Sequence, residues 1–246
     1  MELIPQNKKV GEFSHVILTN LTYPMNDPML YKRLDWYIKN ILPGLKAQTV
    51  KNVDIAIKVR PEDRAKVEKV LAKAGFSDVI VCVEYNLNRL TKKGEAEYHN
   101  SHGQHVRKYT TFGNMGGLKK YELQTSADSD DFISPTYIEK VQQAVIDFGY
   151  KLSLHIHFQP LSLDCSTGEI KKMKHRYGQG IGQEGGSAFF TLYNPDPKTK
   201  YVFCREKSHY WIPKLFSNSI LLPEGDCWIG VNGMNHRTKG MPESID

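Results

Sequence analysis

Three aliphatic-rich runs of strand length, His15–Leu21, Asp54–Val59 and Asp78–Glu84, alternate with two segments whose apolar residues recur at helical spacing. That order restricts the fold more than any other feature of the chain. The first run, His-Val-Ile-Leu-Thr-Asn-Leu, is mostly apolar rather than alternating, as expected of a strand buried on both faces of a parallel sheet. Leu30, Leu34, Tyr37, Ile38 and Ile41 mark a helix that reaches Pro43. Pro61-Glu62-Asp63 opens a second helix, with Val67, Val70, Leu71 and Ala74 on one face and Gly75 at its end. Parallel strands need crossover connections, and those connections are right-handed, so the pattern predicts a βαβαβ unit in an open, Rossmann-like, mostly parallel sheet.

The chain has 246 residues, enough to bury a substantial core as one large domain, and its 40% hydrophobic and 24% charged residues exclude whole-chain disorder. No apolar run has the length to cross a membrane, and the first residues lack the charged-then-apolar order of a secretion signal. A soluble, intracellular, cytoplasmic protein is expected. Cys82, Cys165, Cys204 and Cys227 are scattered with no C-x-x-C pair, so reduced thiols are expected rather than a zinc site. The formal charge of +6 suits an anionic partner.

The chemistry concentrates at Tyr121–Asp131, where a short strand runs into Asp128-Ser129-Asp130-Asp131. Carboxylates crowded in this way repel one another unless a cation lies among them. Asp128 and Asp130 are two apart, so at the end of a strand both can turn towards one point, and hard oxygen donors suit Mg²⁺ or Mn²⁺. The competing reading is an acidic turn before a helix at Ser134-Pro135, with the acids favoured by the helix dipole and Asp131 capping that helix. Local sequence leaves both readings open.

The remaining stretches are less regular. Residues 86–120 form a polar, basic insert in which His99, His102 and His105 are interrupted by Asn100, Ser101 and Gly103, so a solvated loop is favoured over a metal site. Arg89, Arg107 and Lys108, with Tyr98, Tyr109 and Phe112, offer a surface for a polyanion, although a solvated face is the simpler reading. Pro135–Phe148 reads as a helix closed by Gly149, and Leu152–Phe158 as a strand whose polar face carries His155 and His157 towards solvent or a cleft. Ser162–Ile170 reads as a hairpin with a Ser-Thr-Gly turn. Gly180–Gly185 matches G-x-G-x-x-G, but strand-like residues follow it where the dinucleotide fingerprint requires a helix, so that assignment is rejected. Short strands at 187–193, 201–204 and 227–236 complete a mixed C-terminal half.

Taken in order, the Leu18-Thr19 strand end, Leu42-Pro43-Gly44-Leu45-Lys46-Ala47-Gln48-Thr49, the Asp128–Asp131 cluster and Trp228-x-x-x-Asn232-Gly233-x-Asn235 resemble the rhamnosyltransferase family of GT-A type glycosyltransferases, which includes a domain from a large algal virus. The likeness runs from about residue 13 to residue 236. It implies an α/β, GT-A-like single domain over 1–246, with a nucleotide-sugar-binding half at 13–131, the insert at 86–120 and a mixed acceptor half at 132–236. A viral origin would place the protein in the host cytoplasm. The chain departs from the family at Asn20 and Ser126, where arginine is common, and at Asn232, where histidine is common. Those departures leave the donor's identity and the third metal ligand open.

The resemblance implies that the donor base lies near Thr19, Asn20 and the end of the third strand, with Asp130 as the direct ligand of Mn²⁺ or Mg²⁺, Asp128 on the ribose or the metal, and Ser129 among the donor-binding residues. His209 or His236 would complete the metal shell. An inverting transfer needs a carboxylate to take the acceptor's proton, and Asp226 and Glu184 are the candidates, Asp226 being preferred for its place in the acceptor half. The function expected is transfer of a hexosyl or pentosyl unit from a UDP- or dTDP-linked sugar to a glycan or to a hydroxylated base in DNA. Two alternatives stand beside it. A nucleotidyltransferase of sugar-nucleotide synthesis would need a glycine-rich basic loop after the first strand, and Asn20–Pro28 has none. A non-catalytic nucleic-acid binder would leave the acidic cluster without a purpose.

Overall fold

The computed structural model describes residues 7–21, 27–59, 63–84, 115–116, 118–150, 154–158, 160–172, 189–193 and 218–231. In chain order the strands are β1 (His15–Asn20), β2 (Val53–Val59), β3 (Ile80–Glu84), β4 (Met115–Gly116), β5 (Leu123–Ala127), β6 (Phe132–Ile133), β7 (Leu154–Phe158), β8 (Leu161–Asp164), β9 (Ile170–Lys172), β10 (Phe190–Tyr193), β11 (Asn218–Leu222) and β12 (Cys227–Val231). Eight of them form one sheet in the order β11-β7-β10-β5-β1-β2-β3-β4. β1 is parallel to both β2 and β5, β2 is parallel to β3, and β7 is parallel to β11. β10 runs antiparallel between β5 and β7, and β4 is antiparallel on the far edge. The fold is therefore mixed α/β around a large, mostly parallel sheet. All six residues of β1 are buried, as their near-continuous apolar run predicts for a central parallel strand.

The helices are α1 (Asp27–Trp36), α2 (Leu42–Lys46), α3 (Arg64–Lys73) and α4 (Tyr137–Asp147). Their apolar sides join Ile17, Ile55, Ile57, Leu123 and Ile156 in the main core. Between α1 and α2 the chain makes a π-helical turn over Tyr37–Ile41, in which the Leu42 N–H donates to Tyr37 O five residues back. The helical course therefore continues past Pro43, where the sequence pattern predicts an end. A proline ring clashes with the carbonyl four residues back in an α-helix, and the wider turn just before Pro43 resets the register so that it falls at the start of α2. Among the described residues no helix is long and apolar enough to cross a membrane.

A polar chain threads the core. The Gly11 N–H donates to Gln142 Oε1 at 2.7 Å, and Gln142 Nε2 lies 3.3 Å from His15 Nδ1. His15 Nε2 lies 2.8 Å from Thr125 Oγ1, which in turn is 2.6 Å from Thr191 Oγ1. Since Gln142 Nε2 can only donate, His15 Nδ1 accepts and its Nε2–H donates to Thr125, which sends the Thr125 hydroxyl proton on to Thr191. The chain ties α4 to three neighbouring strands of the sheet. His157 corrects an expectation: on β7, which lies between β10 and β11, its side chain is 2% exposed rather than facing solvent, so this face of the strand is covered at that position. Burial lowers the pKa of His15 to about 3 and that of His157 to about 4.

The second sheet, β6-β12-β8-β9, is rooted where the first one ends. β6 follows the acidic turn after β5, and β8 follows β7 almost directly. β12 pairs antiparallel with β6 through Cys227–Ile133 and Trp228–Phe132, and parallel with β8. The predicted hairpin is present as β8 and β9. Its turn is closed by Asp164 Oδ1, which accepts from the Ser166 N–H and hydroxyl and from the Thr167 N–H.

Candidate functional site

Strand order reverses at β1. The chain places β2 and β3 on one side of it and β5 on the other, so the carboxyl ends of β1 and β5 open a crevice of the kind where parallel α/β sheets bind ligands. Thr19 is in register with Ala127 and with Ile57, and Asn20 with Lys58. Asp128 leaves β5 one residue beyond the Thr19–Ala127 pair, so Thr19, Asn20 and the acidic turn share one sheet edge. Thr19 is fully buried and Asn20 nearly so. β10 begins at the same edge, with Phe190 paired to Ser126.

The acidic turn sorts its side chains by burial. Ser129 and Asp131 are buried, whereas Asp128 and Asp130 are partly exposed. The two-residue spacing thus leaves both accessible carboxylates on residues that alternate with buried ones. Arg33 of α1 is 5% exposed, and its Nη1 reaches Ser129 Oγ at 3.5 Å. One helical turn on, the buried Tyr37 donates its hydroxyl to Thr19 Oγ1 at 3.3 Å. Arg33 and Tyr37 are four apart on one face of the continuous helical course, so α1 and the start of the π-helical turn lie across both strand ends and bring a guanidinium to that edge. Sequence reasoning missed Arg33. Its signal was a charged residue inside the Leu30, Leu34, Tyr37 apolar stripe, where a solvated arginine would not sit.

Asp131 corrects a second expectation. It does not cap the following helix: α4 starts at Tyr137, and Asp131 Oδ1 accepts instead from the backbone N–H of Gly230 at 3.1 Å. Asp226 is the carboxylate at the start of α4. It is 4% exposed, its Oδ1 accepts from Ser134 Oγ at 2.6 Å and Thr136 Oγ1 at 3.2 Å, and its Oδ2 accepts from Lys140 Nζ at 2.6 Å. Its backbone carbonyl also accepts from the Ser134 N–H. Burial, with Asp131 and Asp226 close by, pushes the Cys227 thiol well above its ordinary value.

Glu184, His209 and His236 lie outside the described residues, as do the triple-histidine stretch and, apart from Trp228, the named residues of the terminal motif. Among the described residues no three histidine, cysteine, aspartate or glutamate side chains gather at one point in a way that holds a metal. Asp128 and Asp130 nevertheless fit a hard divalent cation. Both are partly exposed oxygen donors at a crevice, and such an ion routinely keeps waters and substrate phosphates in its remaining positions.

The described residues thus form an open α/β fold whose switch-point edge carries two partly exposed aspartates and, from α1, a buried arginine. Among solved structures, the chain is similar to Staphylococcus aureus TarS 1–349, at 11% identity and a TM-score of 0.46, covering 85% of this chain and 58% of that one. It is similar to the same TarS fragment in complex with UDP, at 10% identity and a TM-score of 0.47, covering 89% and 60%. A third similar structure, from Desulfovibrio desulfuricans G20, is provisionally assigned as a nucleotide-diphospho-sugar transferase, with 15% identity, a TM-score of 0.39, and coverage of 86% and 80%. The chain spans about three fifths of the TarS fragment it matches. No protein-family model matches the sequence, and no curated protein does. At such identities and scores a likeness says nothing about chemistry.

Proposed function

We propose that this chain is a metal-dependent glycosyltransferase that takes its sugar from a nucleoside-diphosphate donor, UDP- or dTDP-linked. The observation that carries the reading is the placement of Asp128 and Asp130, accessible and adjacent to Thr19 and Asn20, at the switch-point edge of a mostly parallel sheet. Asp130 and Asp128 would hold Mn²⁺ or Mg²⁺, with His209 or His236 as further ligands, and the bound ion would neutralise charge developing on the leaving diphosphate. Thr19 and Asn20 would receive the nucleoside, Ser129 would line the diphosphate, and Arg33 would add a fixed positive charge beside it.

Transfer with inversion needs a proton acceptor opposite the leaving group. Because both oxygens of Asp226 are engaged by Ser134, Thr136 and Lys140, we assign it to anchoring α4 and assign the base to Glu184. Glu184 precedes by only a few residues the strand that starts beside Ser126 at the same edge. The acceptor is a hydroxyl of a glycan or of a hydroxylated base in DNA, and the basic residues between 86 and 120 suit the latter.

A donor panel that includes UDP-glucose and dTDP-rhamnose, assayed for sugar release with and without Mn²⁺, tests the reading. Turnover of at least one donor that requires the metal and is lost in Asp130→Asn is expected. Donor binding that ignores both the metal and Asp130 would overturn it. Adding duplex DNA bearing hydroxymethylated bases, or an oligosaccharide, then separates the acceptor classes.

A further inference from the structure

Asp131 is the one acid of the turn that the proposed chemistry does not use. It is buried, and its Oδ1 accepts from the Gly230 N–H at 3.1 Å. Gly230 belongs to β12, a strand held on one side by β6 and on the other by β8. A Cβ on Gly230 would fall inside the van der Waals envelope of the Asp130 carbonyl oxygen, and it would also come within 3.3 Å of Cys165 Sγ and of Phe132 Cε2. The backbone of β12 is therefore pressed against the turn at two successive residues, by a hydrogen bond at Asp131 and by direct contact at Asp130. Only glycine permits that approach at position 230. The contact that cannot be relieved by a side-chain rotation is the one with Asp130, because the atom there is a backbone carbonyl oxygen, whereas Cys165 Sγ and Phe132 Cε2 are side-chain atoms.

We propose that Asp131 and Gly230 are positioning residues, which fasten the acidic turn to strand β12 so that Asp128 and Asp130 present their carboxylates together to a divalent cation and the donor's diphosphate. This rests on the reading of Asp128 and Asp130 given above. The C-terminal strand thus sets the geometry of the donor half. The role of Asp131 is to accept a hydrogen bond rather than to lend charge to the metal.

The test compares Asp131→Asn, Asp131→Ala and Gly230→Ala with the wild-type full chain. Binding of UDP with and without Mn²⁺, and of uridine alone, is followed by calorimetry, and folding by thermal melting. Asparagine keeps an oxygen acceptor at the same place, so Asp131→Asn is expected to bind UDP·Mn²⁺ within about threefold of wild type, whereas Asp131→Ala and Gly230→Ala weaken it by about tenfold or more, the usual cost of losing support behind a metal ligand. Uridine binding, which needs no metal, is expected to stay unchanged in all three. Equal weakening in Asp131→Asn and Asp131→Ala would overturn the positioning role by showing that the charge itself matters, and so would wild-type UDP·Mn²⁺ affinity in Asp131→Ala and Gly230→Ala. If the alanine variants do not fold, the isosteric Asp131→Asn decides alone: retained Mn²⁺ dependence supports the role and its loss refutes it. A wild-type protein that binds UDP equally with and without Mn²⁺ overturns the underlying reading, an outcome distinct from the others.

Discussion

Asp128, Asp130, Asp131 and Asp226 are four carboxylates, two on partly exposed residues and two on buried ones, and substitution should tell the pairs apart. Replacing Asp128 or Asp130 by Asn keeps the shape of the side chain and removes charge from a crowded turn, so urea stability should stay within about 0.5 kcal/mol of wild type while Mn²⁺-dependent UDP binding is lost. Asp226→Ala should behave in the opposite way. It strips Ser134 and Thr136 of a shared acceptor and Lys140 of its partner, with an expected loss of about 2–4 kcal/mol in urea unfolding, and the folded fraction should still bind UDP. The sequence showed where the acids were but not which of them were buried. Asp131 and Asp226 find their partners 99 and 92 residues away along the chain, a separation that no local pattern encodes.

His15 and His157 lead to a prediction about pH. Their folded values, about 3 and about 4, lie below the ordinary 6.5, so below pH 6.5 the unfolded chain takes up protons that the folded chain refuses. This contribution to stability is complete above pH 6.5 and falls as the pH drops. Both groups act down to about pH 4, at about 2.7 kcal/mol per pH unit together, and His15 alone acts below that to about pH 3. Urea unfolding at pH 6.0 and 5.0 should show the loss, and His15→Gln should reduce the slope by about half, since each group contributes about 1.4 kcal/mol per pH unit. An unchanged slope in that variant would mean that His15 already carries a proton in the folded state.

Among the elements, α1 with the π-helical turn that continues it carries the most information about the proposed site beyond the acidic turn itself. Arg33 touches Ser129 and Tyr37 touches Thr19, so a single helix face spans the two strand ends that form the crevice. Arg33→Met should weaken UDP binding by about tenfold while leaving uridine binding unchanged, because only the diphosphate responds to the lost charge. Calorimetry with the two ligands checks this. The alternation that gave β1, β2, β3 and the helices between them was legible because those strands are buried on both faces and the helices have clear apolar stripes. β11 was not anticipated. Asn218–Leu222 is an edge strand with Asn and Ser at its start, and only the neighbouring β7 gives it reason to be extended. The π-helical turn before Pro43 was equally hidden, since a proline reads as a helix end unless the register shifts ahead of it.

At the scale of the whole molecule, the first half supplies the switch point and the acids, and the second half returns through β12 to brace them. The class of fold followed from the order of strands and helices, and so did the edge of the sheet at which the acidic turn lies. The bracing did not, because it depends on where a late strand docks. A protein built in this way should be stabilised by its donor nucleotide only when the cation is present, and saturating UDP at about a hundredfold over its dissociation constant would add about 2.7 kcal/mol. The most direct test of the proposed function is therefore the UDP titration of wild type and Asp130→Asn, each with Mn²⁺ and with the metal chelated away. The proposal predicts binding by the wild type with Mn²⁺ and its loss both on chelation and in the variant. Equal UDP affinity under all four conditions would contradict it.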